Sequence, residues 1–187
     1  MLLLGVLQAQ AAGQAAGSFD LLETQVLASS AASVTFSSLS TYAADYQHLQ
    51  IRMAVRTDRS DTSDYLRMRF NADTAANYAS HELIGTGSSV VSAASTSATS
   101  MIFGRTGAAS AASNIFGAAV VDLLDAFNSS KNTTMRSLGG VATTQIRLDS
   151  GHWRNVAALT SVTVLPGEGS NLVTGSRFSL YGLKAGA

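Results

Sequence analysis

Two stretches alternate strictly in polarity, and they limit the class of fold more than anything else in the chain. Across residues 48–56, Leu49, Ile51, Met53 and Val55 alternate with His48, Gln50, Arg52, Ala54 and Arg56. Across 64–71, Leu66, Met68 and Phe70 alternate with Tyr65, Arg67, Arg69 and Asn71. Successive side chains on a strand point to opposite faces, so each run has one apolar and one polar face. Residues 57–63, between them, are all polar and of turn-forming type. The pattern predicts a hairpin at the centre of an antiparallel sheet, packed on one side and wet on the other.

From Ser18 onward the same theme recurs in shorter pieces. β-prone runs cover 21–27, 32–39, 78–86, 101–104, 133–138, 145–148, 158–165 and 177–184. The run 114–125 has some helical spacing, but the Val120-Val121 pair and its alternation favour a strand. Residues 90–100 are nearly all Ser, Ala and Thr, and fit either a strand of small side chains or a long loop. Clusters of Asn, Asp, Ser and Gly at 71–77, 128–132, 149–151 and 166–171 mark turns. About eight to ten short strands without a sustained helix imply an all-β, antiparallel, jelly-roll-like β-sandwich over residues 18–187.

Residues 1–17 are different: an apolar head containing Leu2, Leu3, Leu4, Val6 and Leu7, then an Ala/Gln/Gly tail. One reading is a secretory signal cleaved near Ala9-Gln-Ala11, although the first basic residue of the chain is Arg52. The other, which we favour, is an N-terminal arm whose leucines need a neighbouring subunit or partner groove and whose glycine-rich tail is a tether.

Composition narrows the function classes. Twelve basic residues balance twelve acidic ones, and only 13% of the chain is charged. That argues against a nucleic-acid partner, whose affinity comes mainly from Lys and Arg on phosphates. It also suits a protein packed against copies of itself, since low net charge is poor for a free monomer. There is no cysteine, so no disulfide or zinc-thiolate site is expected. No apolar run approaches the roughly 20 residues of a membrane helix, so no membrane partner is expected.

Reactive constellations are not evident. His48, His81 and His152 lack metal-ligand spacing, and no Gly-x-Ser-x-Gly elbow occurs. Asp58, Asp61 and Asp64 only loosely imitate a calcium loop and read as a solvated loop with Arg59 as counter-charge. We therefore expect no catalytic residue, metal or cofactor. Arg52, Arg56, Arg67 and Arg69 are expected to share the wet face of the central hairpin as a candidate interface seeking partner carboxylates. Trp153, between His152 and Arg154, is a candidate glycan contact.

Several patches taken together carry a resemblance. They are Ser18-Phe-Asp-Leu-Leu-Glu-Thr-Gln-Val-Leu27, Val34-Thr-Phe-Ser-Ser-Leu39, Leu66-Arg-Met-Arg-Phe-Asn-Ala-Asp73 with the following Asn77-Tyr78, and the closing Gly175-Ser-Arg-Phe-Ser-Leu-Tyr-Gly-Leu183. In these the chain resembles a group of small virion structural proteins of tailed bacteriophages. The resemblance implies β-sandwich modules that decorate capsids or form tail and fibre appendages, usually as homotrimers. Its implied partners are further copies of the chain and the major capsid protein or other virion proteins, at the particle surface. It transfers no catalytic residue. The alternative it leaves open is a tail or head fibre module that binds a host receptor or glycan.

Overall fold

The computed structural model describes residues 18–184. The proposed arm, with Leu2, Leu3, Leu4, Val6 and Leu7, lies outside the described residues. Within them are twelve strands: β1 (Phe19–Val26), β2 (Val34–Phe36), β3 (His48–Val55), β4 (Ser63–Phe70), β5 (Tyr78–Gly85), β6 (Val90–Ala98), β7 (Met101–Gly107), β8 (Gly117–Leu124), β9 (Thr133–Val141), β10 (Gln145–Trp153), β11 (Val162–Pro166) and β12 (Arg177–Leu183). One turn of 3-10 helix, Leu39–Tyr42, buries Leu39. The chain is all-β, as its alternation predicts.

The strand pairing defines a jelly roll. β1 pairs with β12, β2 with β11, β3 with β8 and β4 with β7, all antiparallel. These are nested pairs, as if one long hairpin had been rolled up, and rolling distributes them into two facing sheets. The larger sheet has the order β1-β12-β3-β8-β9-β10-β5-β6 and the smaller β2-β11-β4-β7. Two hairpins interrupt the roll: β5–β6 sits between β4 and β7 in the chain, and β9–β10 between β8 and β11. β5 pairs with β10, so together they extend the large sheet past the edge of the small one.

The expected central hairpin is not formed. β3 lies in the large sheet between β12 and β8, whereas β4 lies in the small sheet between β11 and β7. Residues 57–63 carry the chain from one sheet to the other. Alternation identifies which face of a strand is apolar, but not whether its successor lies beside it or across the core. Here Leu49, Ile51, Met53 and Val55 meet Leu66, Met68 and Phe70 across the sandwich, in a core that also holds Val34, Phe36, Tyr78, Phe103, Val121, Met135, Trp153, Val162, Phe178 and Leu180.

Other differences follow from tertiary context. Residues 90–98, left open by their composition, form β6. The turn expected at 149–151 is instead the interior of β10, which runs on to Trp153. Asp149 is held there by an ion pair to Arg147. Gly151 leaves room for the small sheet: a Cβ on it would stand 2.6 Å from the Met101 sulfur.

Candidate functional site

The four candidate interface arginines are split between two surfaces. Arg52, on the outer face of β3, lies over the rings of Phe19 and Tyr181, 4.9 and 5.1 Å from their centroids. Arg56, just beyond β3, turns onto the loop ahead of β8 and donates to the carbonyls of Ala109, Ala111, Ala112 and Ile115. Its fork is filled by its own chain, so it acts as an internal clasp. Arg67 and Arg69 belong to the small sheet, where Arg69 Nε donates to the Thr99 carbonyl at 3.1 Å. The shared wet face does not exist because its two strands are in different sheets.

Trp153 is a core residue, 1% exposed. Its ring centroid is 5.8 Å from that of Phe70, and its Nε1 donates to Asp73 at 2.7 Å. A sugar ring stacking from solution finds no open indole face, which corrects the expectation of a glycan contact there.

The aspartates at 58 and 64 bind backbone. Asp58 accepts from the Ser170 and Asn171 N–H groups and from the Asn171 side chain. Asp64, buried, accepts from the N–H groups of Glu168 and Gly169. Both therefore fasten loop 166–171, while Arg59 bridges Asp61 and Glu168. Among the described residues, no three His, Cys, Asp or Glu side chains are gathered to hold a metal. His81 and His152 take diagonal positions on β5 and β10, whereas His48 is on β3, three strands from β10.

One charged cluster is not apparent from the sequence. Glu82 on β5 and Asp149 on β10 are directly opposite in register. Both engage Arg147, whose side chain is fully buried. Burial works against the guanidinium charge, but the two carboxylates outweigh it and hold Arg147 above its usual pKa. Paired carboxylates can perform acid–base chemistry on a glycosidic bond. Here they converge on one guanidinium, an arrangement that neutralises a buried cation. The signal was an Arg-x-Asp pair at strand spacing, legible only once β10 is known to run through Asp149.

The outer face of the large sheet offers a different kind of surface. Leu83 of β5 lies opposite Leu148 of β10, which lies opposite Leu138 of β9, which lies opposite Val120 of β8. Cross-strand partners share a face, so the four form one apolar row. They are 48%, 51%, 50% and 38% exposed. Ile146, in the next row, is flanked by Gly85 and Gly140 and is exposed as well. Open hollows of about 700 and 670 Å³ flank the ridge formed by Val120 and Leu138. Completing the burial of each leucine releases roughly 1 kcal/mol, about half the value for a whole side chain.

A polar chain borders this row. Arg52 Nε donates to Gln50, Gln50 Nε2 donates to Asp122, and Arg136 Nε donates to the other Asp122 oxygen, at 2.8, 2.7 and 2.8 Å. The face thus has the plan of an interface, with an apolar centre and a paired polar margin. The sequence does not single it out, because the β-prone runs 133–138 and 145–148 are too short for their polarity to say which face is covered.

No protein-family model matches this chain, and no curated protein matches it.

Proposed function

We propose that this chain is a non-enzymatic structural protein of a phage virion. In this reading it is a capsid decoration or cement protein that assembles through its β-sandwich and is anchored by residues 1–17. The observation that carries the proposal is the half-exposed row Leu83, Leu148, Leu138 and Val120 with its hydrogen-bonded polar border. A contiguous apolar patch on a sheet face is unfavourable in water and favours a covering partner. The occupant best suited to it is a flat apolar surface of the major capsid protein. The resemblance to tailed-phage virion proteins supports the same assignment, with copies of the chain as further partners in a homotrimer at the particle surface. The apolar character of Leu2, Leu3, Leu4, Val6 and Leu7 supports the anchoring role of the arm.

Co-sedimentation with capsids stripped of this protein tests the proposal, using the full chain and a version that begins at Ser18. The full chain is expected to pellet with capsids and the truncated one to remain in the supernatant. Equal pelleting of both removes the arm from the mechanism. If neither pellets, the capsid assignment fails and a tail or fibre location replaces it.

A further inference from the structure

The large sheet ends on one side at β1 and on the other at β6. An edge strand presents a row of unpaired N–H and C=O groups and is a template for another strand unless something blocks it. β1 has such obstacles: Asp20 and Glu23 carry charge, and a register shift between Leu21 and Glu23 breaks its ladder. β6 differs. It is 9 residues long, its ladder is regular from Val90 to Thr96 with the one shift falling at Ser97 near its end, and residues 86–100 contain neither a charged residue nor a proline.

Its environment is equally open. Among the described residues the one ladder partner of β6 is β5, with Arg154 reaching Ser97 near its end, and most of the strand projects beyond the small sheet. Residues 90–94 are exposed without interruption, including Val90 at 74% and Val91 at 49%. Side chains on both faces are therefore wet, because Val90 and Val91 point opposite ways. A strand ordered by one ladder, with little apolar burial on either face, gains much from a second ladder.

We infer that β6 is a self-association edge, pairing antiparallel with β6 of a second copy across a two-fold axis. A second copy is the occupant that the edge itself favours. Any strand is complementary to its own antiparallel image, and this one brings no charge to repel that image. With the axis at Ala94, short of the irregularity at Ser97, Ser92 faces Thr96 of the other copy, and the two large sheets become one. Val90 and Ser92, on the outer face of β6, extend the rows of Ile146 and Leu83 to this edge. This inference goes beyond the virion assignment and does not depend on it: the two-fold contact builds no trimer and joins a copy in one proposed homotrimer to a copy in the next.

The absence of cysteine makes the test clean. Single-cysteine variants of the full chain are oxidised under mild conditions and read as covalent dimer on a non-reducing gel. Antiparallel pairing places the two Cβ atoms of the axial residue about 4.5–5.5 Å apart, within reach of a disulfide after slight adjustment. Ala94→Cys is expected to cross-link at least tenfold faster than Ser88→Cys, which sits in the exposed turn before β6. Ala94→Lys sets two ammonium groups against each other at the axis. It is expected to lower the particle mass by light scattering and to increase amide exchange across 90–98, with the far-ultraviolet circular dichroism unchanged. Cross-linking of Ala94→Cys no faster than that of Ser88→Cys overturns the inference. So does a particle mass that Ala94→Lys leaves unchanged.

Discussion

Asp73 illustrates how much of this fold hangs on single carboxylates. It accepts from Trp153 Nε1 at 2.7 Å, Asn77 Nδ2 at 2.9 Å and the Ala75 N–H at 2.8 Å, joining the turn after β4 to the end of β10. The Asn77 and Trp153 hydrogen bonds outweigh burial and hold its pKa below the usual 3.8. Burial pushes Asp58 upward, but the bonds from Asn171 and Ser170 prevail and lower it as well. Lys131 and Gln47 lower Asp125 in the same way. For a carboxyl with a lowered folded pKa, the linked stability is complete above the unfolded value. It is lost as pH falls through the folded value. Urea midpoints are therefore expected to hold steady from about pH 7 to pH 5 and to drop steeply below about pH 4. Asp73→Asn is expected to flatten part of that drop, and an unchanged slope in the variant contradicts the role given to Asp73. Few of these partnerships were legible in the sequence. Asp73 and Trp153 lie far apart in the chain, and a lone tryptophan between His152 and Arg154 looks the same whether its ring is buried or exposed. Arg56 likewise alternates as a wet-face residue, and only the folded loop ahead of β8 supplies the carbonyls that occupy it.

At the scale of elements, strands were far easier to read than their neighbours. The polarity of β3, β4, β11 and β12 is local and marks their inner faces. The choice between pairing side by side and facing across the core is made by the whole roll, through β1–β12 and β2–β11 contacts that close the chain's two ends together. Turn-forming composition misled at β10, where Asp149, Ser150 and Gly151 are strand residues because of what they touch. Gly151 illustrates this in energetic terms: a methyl group there meets the Met101 sulfur at 2.6 Å and the Ala79 carbonyl oxygen at 2.7 Å. Gly151→Ala is expected to destabilise the protein by about 1–3 kcal/mol, the usual cost of overpacking a filled core. Chemical denaturation measures it. A neutral or stabilising effect contradicts the close packing of β7 on β10. The small residues of β6 have the opposite meaning, since over residues 90–94 they leave both faces of the strand exposed.

The whole molecule has one well-packed interior and one large sheet whose outer face is unfinished. The jelly-roll core is built on the four nested pairs, and the two inserted hairpins add Tyr78, Met135 and Trp153 to it while widening the large sheet. That added width carries Leu83, Leu138, Ile146 and Leu148 and presents them to solvent. The overall balance of charge and low charge density, visible in the sequence, are consistent with a surface meant to be covered. Which surface it is emerges only from the register of β8, β9, β10 and β5. The most direct measurement is co-sedimentation with stripped capsids of the full chain beside its Leu83→Lys, Leu138→Lys double variant, with thermal melts recorded for both. The expected result is that the unaltered chain pellets while the folded double variant, melting within a few degrees of it, stays in the supernatant. Equal pelleting of the two proteins contradicts the assignment of this face as the assembly surface.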